Sequence, residues 1–221
     1  MSSITFKNLN KTYPNGFISV KDVSLYIEDG EFATFHGPSG CGKSTILRMV
    51  GGLEDITSGE IYLGEVLLNE VLPKDRRLAM AFQNYALYPP LNVYENIGLG
   101  LTLRDFPHNI IDSRVKAAAE FLEIPSILDK RIRSISEAEK QKTALARAIA
   151  CHPEVFLVDE DFSRGNAHRH AEMLHDILRI NKELKITTLY ITNDYQEAIR
   201  LNKKIIFMKD GEIISTEEPA L

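Results

Sequence analysis

Eight residues, Gly37, Pro38, Ser39, Gly40, Cys41, Gly42, Lys43 and Ser44, constrain this chain more than any other stretch. They follow an apolar run at 32–35 that suits a buried strand. The segment after them, 45–50, reads as a helix that stops at Gly51 and Gly52. Strand, glycine-rich turn and helix in that order make a phosphate-binding loop. The glycines let successive backbone amides curl toward a polyphosphate, and the positive end of the helix faces the same anion. Lys43 supplies a point charge for the terminal phosphates, Ser44 a hydroxyl for Mg²⁺, and Thr45 opens the helix. The expected ligand is a nucleoside triphosphate.

Around that loop the chain alternates between two patterns. Residues 4–9, 20–27 and 59–63 alternate apolar and polar positions, as half-buried antiparallel strands do. Residues 32–35, 155–158, 186–191 and 205–208 are continuous apolar or β-branched runs, as expected for parallel strands covered on both faces. Between 92 and 150 the period becomes helical, with Ile111, Val115, Ala118 and Leu122 on one face and a further helix through 144–150. The expected fold is therefore α/β. It is a P-loop NTPase with a central, mainly parallel sheet, an N-terminal antiparallel β portion and an inserted α-helical subdomain.

Composition narrows the surroundings. The 221 residues carry a net charge of −5, which offers no support for a nucleic-acid partner. No apolar run is long enough for a membrane helix, and 1–10 lack a secretory signal, so a cytoplasmic location is expected. Cys41 and Cys151 are too far apart for a zinc site and are expected as free thiols.

A second nucleotide element lies where 155–158 end in Asp159 and Glu160. A carboxylate at the tip of a buried strand is placed to hold Mg²⁺, and the next to polarise an attacking water. By itself the pattern also describes a strand leaving the core. His168 and His170, two positions apart on a helix beginning near Ala167, face different directions and do not make a ligand pair.

Taken together, these stretches resemble the ATP-binding cassette subunits of transporters over nearly the full length, and 29–53 and 81–89 look most like carbohydrate importers. The resemblance implies one cassette domain over 1–221, with a helical subdomain at about 92–150, binding ATP and Mg²⁺. It places Tyr13 where an aromatic stacks on adenine, although a strand-edge tyrosine reads the same. It makes Gln83 the glutamine that reaches Mg²⁺ and water, and 85–97 a docking surface for a membrane permease rather than an ordinary amphipathic loop and helix. The chain would then sit at the cytoplasmic face of the membrane, touching it only through permease subunits, and pair with a second cassette. It ends soon after the last expected strand, without the regulatory extension that many carbohydrate-importer subunits append, and so reads as a truncated chain.

Departures from that family are specific. Where its members carry Leu Ser Gly Gly Gln, to receive the γ-phosphate bound by the opposite subunit, this chain reads Ile135, Ser136, Glu137, Ala138, Glu139. Ser136 and Glu139 spell a capping box, and Glu137 adds negative charge. Asn193 stands at the family's switch histidine. Asp161 and Asn166 replace its loop proline and aspartate. The expectation is an ATPase of weak turnover serving a solute importer, or alternatively a nucleotide-binding regulatory cassette paired with an active relative. Non-transport cassettes fit less well, since their coiled coil, zinc module or second tandem cassette is not visible here, and a kinase would share the phosphate loop but not Tyr13, Gln83 and the 144–150 helix together.

Overall fold

A computed structural model gives the architecture. It describes residues 2–81, 86–159, 167–201 and 203–218, with backbone alone at 167–169. The chain divides into two compact units, the first comprising 1–78, 154–160 and 181–221 and the second 79–153 and 161–180.

In the first unit, β1 (Ile4–Thr12), β2 (Ile18–Ile27), β4 (Ser58–Leu63) and β5 (Val66–Leu67) form an antiparallel sheet in the order β2-β1-β4-β5. Alternation in these segments buries one face, with Ile4, Phe6, Leu9, Val23 and Ile61 all nearly inaccessible. The second sheet of this unit is built on β3 (Phe32–His36), β7 (Val155–Asp159), β8 (Thr187–Thr192) and β9 (Lys204–Lys209), closed at one edge by β10 (Glu212–Glu217). These run in the order β10-β9-β3-β8-β7. All neighbours are parallel except the β9–β10 hairpin. The continuous apolar runs are buried along their length, and each large side chain sequestered this way stabilises the sheet by about 1.5–3 kcal/mol.

Helix α1 (Lys43–Gly51) begins two residues before the expected 45 because Gly42, in the left-handed region, sets its start. It ends on Gly52, also left-handed, as expected. Buried Arg76 then donates from Nη1 to the Met49 and Val50 carbonyls at 2.6 and 2.8 Å, neutralising the negative end of the helix. Strand β10 was not foreseen. It is an edge strand whose residues are mostly exposed, so it lacks the apolar pattern that reveals its neighbours.

Strand β6 (Leu78–Ala81) carries the chain into the second unit. There α2 (Val93–Thr102), α3 (His108–Phe121) and α4 (Glu137–Ala150) pack on one another, and most of α5 (Ala167–Leu184) belongs with them. Ile111, Val115, Ala118 and Leu122 line one buried face, as their spacing requires. Helix α6 (Tyr195–Leu201) lies back in the first unit.

Candidate nucleotide-binding site

Parallel pairing brings the chemistry together. His36, the last residue of β3, is in register with Thr192 of β8, and Asp159 at the end of β7 is in register with Ile191. The loop 37–42, the residues following Thr192 and the Asp159 carboxylate therefore all leave the same edge of one sheet, where parallel α/β sheets bind ligands.

Two glycines in the loop are dictated by contact. A Cβ on Gly37 would lie 2.2 Å from the Met208 carbonyl oxygen, and one on Gly42, at φ 104°, 2.2 Å from that of Ser19. The loop is thus pressed against the start of β2 and the β9–β10 turn, where Gly211 N–H also donates to the Cys41 carbonyl at 3.2 Å. Sequence reading missed Ser19, whose hydroxyl lies 2.8 Å from Thr45 Oγ1. Nothing local in the sequence signals a contact between such distant positions.

Helix α1 opens with no side-chain cap and no acid in its first turn. Its leading amides are therefore available to an anion, the condition a triphosphate cradle requires. Lys43 is buried, and its Nζ donates to the Gly37 carbonyl at 2.7 Å, the Pro38 carbonyl at 3.0 Å and Asn193 Oδ1 at 2.7 Å. Asn193 Nδ2 lies 3.4 Å from Ser39 Oγ, so this residue ties the end of β8 to the loop. Ser44 is half-buried in the first turn of α1, and Asp159 is half-buried at its strand tip. A cradle of amides, a cation within it and a carboxylate at the tip of β7, one strand beyond β8, are the donor set that a magnesium nucleoside triphosphate needs.

Asn193 owes its position to α6. Asp194 caps that helix, its Oδ1 accepting from Gln196 N–H at 2.8 Å and Glu197 N–H at 3.2 Å. Buried Glu197 in turn accepts from Tyr190 Oη and, at 2.9 Å, from Thr192 Oγ1.

His36 was also missed. Its ring meets those of Tyr195 at 5.6 Å and Phe207 at 5.7 Å, directly behind the loop. Burial pushes its pKa down; a backbone hydrogen bond to Thr192 opposes this, the Lys43 charge adds to it, and Asp194 opposes it. His152 in the second unit is shifted the same way, by burial and Arg114. In both cases the unfolded chain takes up the proton first. Stability should therefore fall as pH drops below the ordinary histidine value of about 6.5 and level off beneath the depressed folded values. Urea unfolding across that window should show the slope, and His36→Phe should flatten part of it. An unchanged slope in the variant would count against this account of His36.

Tyr13 lies just beyond β1. Its hydroxyl is 3.4 Å from Glu54, and Lys11 Nζ sits 5.0 Å from its ring centre. Lys11 is itself anchored by Glu54 at 2.6 Å and the Asp55 carbonyl at 2.7 Å.

In the second unit, α4 presents the opposite arrangement to α1. The Ser136 hydroxyl accepts from Glu139 N–H at 3.2 Å, and Glu139 Oε2 accepts from Ser136 N–H at 2.7 Å and from its hydroxyl at 2.8 Å. Those donors hold the Glu139 carboxyl below its usual range. Glu137 pairs with Lys140 at 2.6 Å. The capping box read from the sequence is formed, and the first turn of α4 carries two carboxylates, Glu137 and Glu139. Also in this unit, fully buried Asn96 bonds the Tyr88 and Asn92 carbonyls at 3.1 and 2.8 Å, and Arg147 Nη1 donates to the Ala86 carbonyl at 2.6 Å. The segment 86–97 is thereby fixed. Gln83, Glu160, Asp161 and Asn166 lie outside the described residues, as does the side chain of His168.

The family model described as ABC transporter matches residues 20–163, and the chain belongs to that family. Its fold is that of the family's ATPases. It superposes on the ATP-binding cassette MJ0796, solved as a dimer in a post-hydrolysis state bound to ADP and Pi, with TM-score 0.84 and 29% identity over 99% of both chains. It also superposes on cbiO1 from Clostridium perfringens, part of the cbiONQ ABC transporter complex, with TM-score 0.89 and 25% identity over 98% of this chain and 88% of that one.

Among curated relatives, the sn-glycerol-3-phosphate import ATP-binding protein UgpC of Rhodopseudomonas palustris (strain HaA2) is 43% identical over 99% of this chain and 60% of its own length. The maltose/maltodextrin import ATP-binding protein MalK of Mannheimia succiniciproducens is 42% identical over 99% of this chain and 59% of its own. The chain thus spans about 60% of the length of these relatives. No helix among the described residues is long and apolar enough to cross a membrane.

Proposed function

We propose that this chain binds magnesium ATP and, as the cassette subunit of a solute importer, hydrolyses it to drive transport. The observation that carries the reading is the open, acid-free start of α1 above a buried Lys43 held by the loop it serves. In this reading the 37–42 amides and Lys43 grip the phosphates, and Tyr13 takes the base. Ser44, Asp159 and Gln83 are the residues that would hold magnesium, which when bound neutralises phosphate charge. Glu160 accepts a proton from the attacking water, and Asn193 offers its amide to the terminal phosphate. The relatives' names, import of sn-glycerol-3-phosphate and of maltose or maltodextrin, support a carbohydrate-type solute. The fixed segment 86–97 supports docking on permease subunits, with the chain peripheral at the cytoplasmic face of the membrane.

A specific feature favours a second reading, in which ATP is bound with little turnover. In the family the start of α4 receives the phosphate held by a partner cassette, and here its first turn carries two carboxylates, Glu137 and Glu139. A homodimer would then have two composite sites lacking both the usual signature and the histidine. With an intact relative, one site would lack the histidine and the other the signature. Phosphate release measured with and without Glu160→Gln separates the readings. A working motor should slow by at least ~100-fold, and identical release from both proteins would remove the motor and leave the scaffold.

A further inference from the structure

We infer that Ser19 is a positioning residue for nucleotide binding, holding the Thr45 hydroxyl so that its proton points at the phosphates. The inference rests on the reading of the Lys43 loop as a triphosphate site.

Thr45 is the third residue of α1, and its N–H is the last of the leading amides before Ile46 N–H closes the first helical bond on the Gly42 carbonyl at 3.0 Å. Cα–Cβ bonds in a helix tilt toward its N-terminus, so the Thr45 side chain leans to the end where the amides face an anion. A helical threonine commonly returns its hydroxyl proton to the carbonyl four residues back. That carbonyl belongs to Cys41 and accepts from Gly211 N–H at 3.2 Å, while Thr45 Oγ1 lies 2.8 Å from Ser19 Oγ.

Burial orders the two hydroxyls. Ser19 is 4% exposed and Thr45 half-buried, so Ser19 stands behind and Thr45 in front. An ionised phosphate oxygen accepts hydrogen bonds and donates none. A hydroxyl that meets it must give up its proton to that bond, which leaves Thr45 Oγ1 to accept from Ser19 O–H. Two hydroxyls in series, each donating forward, polarise one another and strengthen the outer bond. Ser19 thus sets the direction of a proton that otherwise rotates to suit its neighbours.

The backbone that delivers the Ser19 hydroxyl is clamped. Gly42 packs on its carbonyl, and a Cβ on Gly211 would lie 3.1 Å from the same oxygen. Two residues on, Lys21 N–H donates to the Gly211 carbonyl at 2.8 Å. The start of β2 is therefore held between the loop and the β9–β10 turn. Alanine at 19 would fill the strand equally well but give Thr45 no donor.

The test is titration calorimetry with magnesium ATP on the wild type, Ser19→Ala, Thr45→Val and the double variant. Loss of one hydrogen bond should make Ser19→Ala about three- to tenfold weaker. Because Ser19 acts through Thr45, adding Ser19→Ala to Thr45→Val should cost less than about twofold more. A purely structural role, in which Ser19→Ala distorts the loop, would instead weaken ATP by the same factor in both backgrounds. Unchanged affinity in either single variant, or the same Ser19→Ala loss with and without Thr45→Val, would overturn the inference while leaving the triphosphate reading intact. Failure of the wild type to bind ATP would overturn both.

Discussion

Replacing Lys43 with methionine is expected to weaken magnesium ATP binding by roughly a hundredfold, since charge-assisted hydrogen bonds to phosphate contribute about 1.5–3 kcal/mol each. Methionine keeps most of the buried aliphatic stem, so the expected loss is one of charge rather than of packing. The ammonium is tied to the Gly37 and Pro38 carbonyls and to Asn193 Oδ1, which pre-positions it inside the loop. The substitution also unties Asn193 from the loop, so a modest fall in melting temperature should accompany the change. Calorimetry of the variant checks the first part, and unchanged affinity would mean that Lys43 does not meet the phosphates.

Restoring the family pattern at α4, by Glu137→Gly, Ala138→Gly and Glu139→Gln together, should strengthen ATP-driven dimerisation. A carboxylate roughly 4–8 Å from a phosphate repels it by about 2–4 kcal/mol at an effective dielectric near 20, before screening by salt. Removing it corresponds to a tenfold to several-hundredfold gain in dimer closure. The change carries a cost in the helix. Two glycines in its first turn destabilise it by up to ~1 kcal/mol each, while glutamine at 139 preserves the reciprocal bond to Ser136. The variant should therefore melt earlier yet dimerise better, a combination that general stabilisation cannot produce. Sizing chromatography with magnesium ATP reads the outcome, and an unchanged elution profile would show that the acidic start of α4 does not oppose a partner's nucleotide.

These two helices also show what the sequence made legible. The loop before α1 and the capping box of α4 depend on residues within a few positions of one another, and such spacings are written directly in the chain. The central strands announced themselves through uninterrupted apolar runs, because burial on both faces leaves no other composition. Strand β10 stayed hidden since its residues are largely exposed, with Ile214 61% accessible. The contacts of Ser19 with Thr45, of Lys11 with Glu54, and of His36 with Tyr195 and Phe207 join positions far apart in the chain. Only the paired strands bring them together, so no local pattern could report them. Asn193 was singled out as a departure from a family position, but its bond to Lys43 follows from the Asp194 cap and the Glu197 anchor, which hold the end of β8 against the loop.

The central claim is that the loop around Lys43 grips a magnesium-bound triphosphate. Titration calorimetry of the folded wild-type chain with magnesium ATP tests it most directly. A saturable heat that Lys43→Met largely removes is the predicted result. No heat at nucleotide concentrations up to the millimolar range, from protein that still unfolds cooperatively, would contradict it.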